Sequence, residues 1–152
     1  MALNFNDVAN KKLEDIEEVP LQPVGTYRLS IPKLPTINET ENWDIVNSNC
    51  RIMEALDDVD PSDYKGDLVG SFLQKSFLFN KNDEAAFIAT ENQLRNFLEN
   101  HLKCAEPTDS IKEAMNKAVG QEFLGVCAWR ADNRPGNEGK FQAGVSRTAP
   151  LD

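Results

Sequence analysis

The sequence predicts a mainly β domain with a helical insert, five strands and two helices in the order β-β-β-α-α-β-β. Three observations carry that prediction. The first is Gly120-Gln121-Glu122-Phe123-Leu124-Gly125-Val126-Cys127-Ala128-Trp129-Arg130, where a glycine ends a helical pattern and a run with two largely apolar faces follows, as expected of a central strand. The second is the pair of helix-capping signals just upstream, Thr90-Glu91-Asn92-Gln93 and Ser110-Ile111-Lys112-Glu113. The third is clean alternation in Gly25-Thr26-Tyr27-Arg28-Leu29-Ser30-Ile31, which places Tyr27, Leu29 and Ile31 on one face. Strands before the helices and strands after them is the order of a five-stranded Greek-key barrel of the OB type.

Taken in order, residues 1–20 read as a flexible N-terminal arm, with a thin helical stripe over Leu13-Glu14-Asp15-Ile16-Glu17-Glu18-Val19 and closure by Pro20 and Pro23. Residues 21–152 form the OB-type domain. Its first strand is Gly25 to Ile31; Pro32 and Pro35 break it, and Pro35 to Asn42 reads as a loop. Trp43 to Met53 is the second strand, with Trp43, Ile45, Asn47, Asn49 and Arg51 on a polar, partly aromatic face. Glu54 to Asp67 carries six carboxylates with Pro61 and Gly66. Hard cations need converging oxygens, but calcium-loop spacing fails because Ser62 and Asp63 stand where a ligand and a glycine belong, so an acidic turn is expected.

Leu68 to Phe79 is the third strand, with Phe72, Leu73, Phe77, Leu78 and Phe79 expected in the core, Lys75 at a solvated point and Gly70 at a bend. After the polar turn at Asn80 to Glu84, the first helix is expected to open at Thr90 and the second at Ser110, with Gly120 stopping the latter. Asp132 to Gly139 is a turn-rich loop, and Lys140 to Arg147 is the fifth strand.

Charge and motif content narrow the function classes. The 152 residues hold 16 Lys and Arg against 25 Asp and Glu, a net charge of −9, so the mean field repels duplex DNA and anionic membranes. No apolar run approaches membrane-spanning length, and residues 1–10 lack the pattern of a signal peptide; a cytoplasmic protein is expected, in the host cell if it is viral. Cys50, Cys104 and Cys127 are odd in number and widely spaced, as in reduced proteins, and neither they nor the lone His101 show metal-ligand spacing, so no metal and no cofactor is expected. A nucleophile elbow, a P-loop and a dinucleotide fingerprint are all missing, and no catalytic residue is expected.

Binding is the class that remains. Single-stranded nucleic acid is held by cations that track phosphates and by aromatics on which bases stack. Between Arg130 and Arg147 the acidic excess disappears: Arg130, Arg134, Lys140 and Arg147 face only Asp132 and Glu138, with Trp129 and Phe141 beside them. The candidate nucleic-acid-binding residues are therefore Trp43, Arg51, Lys75, Trp129, Arg130, Arg134, Lys140 and Arg147.

The Pro23-Val24-Gly25-Thr26-Tyr27 opening, the long apolar third strand, the helical insert and Ala118-Val119-Gly120-Gln121-Glu122-Phe123-Leu124-Gly125-Val126 together resemble bacteriophage-encoded single-stranded DNA-binding proteins with an OB fold. The resemblance covers about Pro20 to Pro150. It implies a replication and recombination accessory that coats single-stranded DNA, associates with replication or recombination proteins, and has room for a homo-oligomer. Such proteins often carry an acidic C-terminal tail, whereas this sequence ends Arg147-Thr148-Ala149-Pro150-Leu151-Asp152, leaving the acidic Glu14 to Glu18 arm as the candidate recruiter. The alternative is a non-catalytic protein-interaction or virion-structural module; a metal-dependent nuclease using Asp57 to Asp67 is a weaker third.

Overall fold

The computed structural model describes residues 4–15 and 20–151. Its centre is a six-stranded antiparallel sheet: β1 (Gly25–Ser30), β2 (Thr36–Glu39), β3 (Trp43–Ala55), β4 (Phe72–Asn80), β5 (Glu122–Ala131) and β6 (Phe141–Ala149). The ladders run β2-β3-β1-β5-β6, with β4 on the other edge of β3. Helices α2 (Glu84–Asn96) and α3 (Ile111–Ala118) intervene between β4 and β5, and a short α1 (Phe5–Ala9) lies in the arm. No helix among the described residues is long and apolar enough to cross a membrane.

β5 lies between two other strands, as its apolar run suggests, flanked by β1 (Tyr27 opposite Gly125, Leu29 opposite Phe123) and β6 (Cys127 opposite Val145). Gly125 is where the interior leaves no space: a Cβ there would lie 2.6 Å from Leu29 Cδ1 and 3.1 Å from Val145 Cγ1. Tyr27, Leu29, Cys50, Ile52, Leu73 and Phe123 fill the concave side of the sheet. The helical insert covers them with Leu94, Phe97, Leu98 and Leu102, and the Phe97 ring meets Phe123 edge-on at 5.0 Å. Burial on this scale contributes about 1.5–3 kcal/mol per large apolar side chain.

Several boundaries differ from the expected ones. Residues 36–39 form β2 rather than a loop, because β3 is thirteen residues long and β1 takes only its last part; β2 pairs the edge left over, from Thr36 opposite Asn47 to Glu39 opposite Asp44. β4 begins at Phe72, since Gly70 at φ +94° makes Leu68–Ser71 a turn in which the Ser71 hydroxyl donates to Leu68 O (2.6 Å). α2 begins at Glu84, six residues before Thr90, capped by Asp83, whose carboxylate accepts from Ala86 N–H at 3.1 Å. Thr90 sits inside the helix with its hydroxyl donating to Leu78 O (2.8 Å), which ties α2 to β4. At the end of α2, Phe97–His101 adds one π-helical turn.

The second expected cap holds. Ser110 Oγ accepts from Glu113 N–H at 3.1 Å, and Gly120, at φ +87°, turns the chain after α3 into β5. In the arm, α1 leaves Phe5 and Val8 exposed, and Leu13–Asp15 makes a single 3₁₀ turn; the rest of the acidic arm, residues 16–19, lies outside the described residues. The sheet curls until β6 lies beside β4. There the Cα of Gly144 faces the Gln74 backbone, and a Cβ would be 3.4 Å from Gln74 O. Ladders stop short of this seam, because β4 pairs with β3 alone and β6 with β5 alone.

Candidate nucleic-acid interface

The outward face of β3 and β4 follows directly from period-2 alternation. Val46, Ser48, Cys50 and Ile52 turn inward, so Trp43, Ile45, Asn47, Asn49 and Arg51 turn out, as the sequence suggests. On β4 the inward set is Leu73, Lys75, Phe77 and Phe79, and the outward set is Phe72, Gln74, Ser76 and Leu78. The ladder matches the two sets: Arg51 opposite Phe72, Asn49 opposite Gln74, Asn47 opposite Ser76, Ile45 opposite Leu78. Ser76 Oγ donates to Asn47 Oδ1 at 2.6 Å, which fixes the polar middle of the stripe. An exposed aromatic marks either end, Trp43 (39% exposed) and Phe72 (51% exposed). At about 3.3 Å per residue, the eight steps from Trp43 to Arg51 span roughly 26 Å.

The stripe continues across the seam. Gln74, Ser76 and Leu78 form one wall of a shallow groove of about 130 Å³ whose other wall is Ala128 and Arg130 of β5 with Gly144 and Ser146 of β6. Gln74, Arg130 and Gly144 also line the adjoining trough, about 290 Å³, with Arg134, Phe141 and Gln22. Arg147, one residue beyond Ser146, stands opposite Val126 past the β-bulge and is exposed. Neither groove has a carboxylate in its lining, and the outward residues from Trp43 to Arg51 and from Phe72 to Leu78 include none; past the β3 bulge Glu54 faces outward and, with Glu122 of β5, pairs with Arg28.

The eight residues singled out from the sequence do not all converge. Trp43, Arg51 and Arg130 share the outward face, and Arg134 joins Arg130 in the trough. Arg134 also has a structural duty that its sequence context hides. Its guanidinium grips the buried Asp132, with Nη2 to Oδ2 at 2.7 Å and Nε to Oδ1 at 3.0 Å, and Asn137 Nδ2 donates to the same carboxylate. The Arg134 hydrogen bonds hold the Asp132 carboxyl far below the usual carboxylate range. Lys140 is exposed at the end of this loop, its backbone closing the turn through Asn137 O.

Two candidates are moved elsewhere. Lys75, expected at a solvated point, belongs to the inward set of β4: it is half-buried, with Nζ 4.9 Å from the Phe77 ring centroid. Burial pushes its ammonium below the ordinary lysine value. Trp129 lies on the opposite side of β5 from Arg130, with its indole N–H donating to Gln22 O at 2.7 Å, and it opens onto a different cleft. Conversely Phe72 and Leu78, assigned to the core from sequence, are outward. The alternation of Gln74 and Ser76 with them carries that signal, but a lysine among the inward residues obscures it.

The remaining polar candidates serve the fold. Asp58, in the acidic segment, accepts from Thr26 N–H (2.9 Å) and Thr26 Oγ–H (2.8 Å), clasping the 54–67 segment to β1. His101 is hydrogen-bonded to Thr148 Oγ and packed on Phe97. Burial raises the thiols of Cys50 and Cys127 to about 11, which keeps both protonated and inert. No protein-family model matches this chain, and no curated protein matches it either.

Proposed function

We propose that this chain is a non-catalytic single-stranded DNA-binding protein of phage-like replication and recombination, built on an OB-type barrel. The observation that carries the proposal is a carboxylate-free path on the outer face: in a chain with 25 Asp and Glu, the stripe from Trp43 to Phe72 and the lining of the trough beyond it hold none, and Glu54 and Glu122, elsewhere on that face, are both paired to Arg28. Phosphates lie along Arg51, Arg130, Arg134 and Arg147, and bases stack on Trp43, Phe72 and Phe141. Asn47, Asn49, Gln74 and Ser76 offer hydrogen bonds between them without a charge to repel the backbone. In this reading β1, β3, β4, β5 and β6 are the five barrel strands, β2 extends the first hairpin, and the glycine-lined seam of β4 and β6 is the barrel's closure.

The test is anisotropy of labelled oligo-dT and a matched duplex at several salt concentrations. With four arginines on phosphates, log K against log salt should fall with a slope of about −3 for the single strand, and Arg130→Ala should reduce its magnitude by about 0.7. Salt-independent binding, or equal affinity for the duplex, refutes the proposal. The rival reading, a protein-interaction or virion-structural module, expects no affinity for oligo-dT even at low salt.

A further inference from the structure

Trp129 is half exposed, 49%, yet it lies away from the arginine-lined trough. Its indole N–H is anchored on Gln22 O, so the ring is held as a fixed wall. It closes one side of a cleft of about 460 Å³ whose apolar lining is Pro20, Leu21, Pro23 and Val24 and whose second aromatic is Tyr64. Asp58, Asp60 and Asp63 complete the lining, and none of its described residues is basic. Asp58 is clasped to Thr26 and Asp60 Oδ1 accepts from Ser62 N–H, so both carboxylates have fixed positions. These hydrogen bonds lower both carboxyls below the ordinary aspartate value, which keeps them ionised at any physiological pH.

A nucleic acid is the wrong occupant for such a cleft, because three carboxylates line it and repel phosphate, whereas the two grooves of the outer face are lined by none. A neutral apolar ligand would leave the charges unmatched. A cation satisfies both parts of the lining: aromatic faces attract it through their quadrupole and the aspartates through charge, while the prolines bury its aliphatic stem. We infer that the Trp129–Tyr64 cleft is a docking site for a basic segment of a partner protein, which inserts an arginine or lysine side chain between the two aromatic rings and the aspartates. This cleft shares only Leu21 with the trough of the outer face and no residue with the groove, and none of the outer-face arginines lines it, so the inference is tested separately from DNA binding.

The chain's two tryptophans make the test direct, since Trp43 marks the outer face and Trp129 the cleft. In a Trp43→Phe background, emission of Trp129 is followed while hexa-arginine amide is added to the full chain. A saturable change is expected, with affinity falling about tenfold in Asp60→Asn/Asp63→Asn and in Tyr64→Leu, as loss of charge or of one ring implies. Neutralising two exposed carboxylates elsewhere, Glu41→Gln/Glu91→Gln, should change it less than about twofold. Oligo-dT affinity should be the same in Asp60→Asn/Asp63→Asn as in the parent. Equal losses from the two neutralised pairs would reveal attraction to overall acidity and overturn the inference, as would unchanged affinity in both. A Trp129 signal that changes with protein concentration alone, tracking sedimentation, would assign the cleft to a second copy of the chain and also overturn it. If Tyr64→Leu does not fold, the aspartate pair decides.

Discussion

Phe72 and Phe77 lie five residues apart on the same strand, and truncating each to alanine should have opposite consequences. Phe77 is 4% exposed and packs in a tilted contact on Phe97 with ring centroids 5.6 Å apart, so Phe77→Ala removes a full core side chain and should cost about 3–5 kcal/mol of stability. Phe72 has half its surface in water, so its burial contributes about half of the 1.5–3 kcal/mol of a fully buried ring, and Phe72→Ala should cost about 1 kcal/mol. Its larger loss is in binding: one base-stacking platform is worth about 1–3 kcal/mol, which is about 5- to 150-fold in Kd. Urea unfolding measures the first quantity and oligo-dT anisotropy the second, on the same samples. If Phe72→Ala lowers stability by several kcal/mol and leaves oligo-dT affinity untouched, the outward assignment of Phe72 and the proposed interface are both wrong.

Lys75→Met should leave oligo-dT affinity within about twofold and raise Tm by about 2–4 °C, because it removes an ammonium whose half-buried position depresses its pKa; a loss of affinity measured by anisotropy would return Lys75 to the interface. Asp132 has a folded-state pKa below its unfolded value of 3.8, so its contribution to stability is complete above that value and is lost as pH falls toward the lower folded value. Asp132→Asn should therefore flatten the acid limb of a Tm-against-pH curve below about pH 4, and an unchanged acid limb would contradict the Arg134 clasp. Gly125→Ala forces a methyl to within 2.6 Å of Leu29 Cδ1 and should cost about 1–3 kcal/mol in denaturant titration; a neutral effect would mean that β1 and β5 are not packed so closely.

Local pattern was sufficient for much of this chain. Strand alternation in Gly25 to Ile31 and Trp43 to Met53, the helix stop at Gly120 and the Ser110 cap all reappear in the structure, because each is decided within a few residues by backbone geometry and side-chain period. The place of β5 between two other strands was equally legible from its apolar run, although only the side with Phe123, Gly125 and Cys127 is buried. Arg130 and Arg134, in the carboxylate-poor end of the sequence, line the same trough.

What tertiary structure alone decided were the matters settled by neighbours distant in sequence. Thr36–Glu39 is a strand only because β3 outruns β1 and leaves backbone groups to be paired. Thr90 yields the cap to Asp83 because Leu78 O stands within reach of its hydroxyl. Lys75 faces inward because Leu73 and Phe77 on either side must, and a strand cannot turn one residue against its pleat. Trp129 and Arg130, adjacent in sequence, open onto clefts of different charge for the same reason: successive side chains on a strand emerge on opposite faces, and what lies there is decided by the fold.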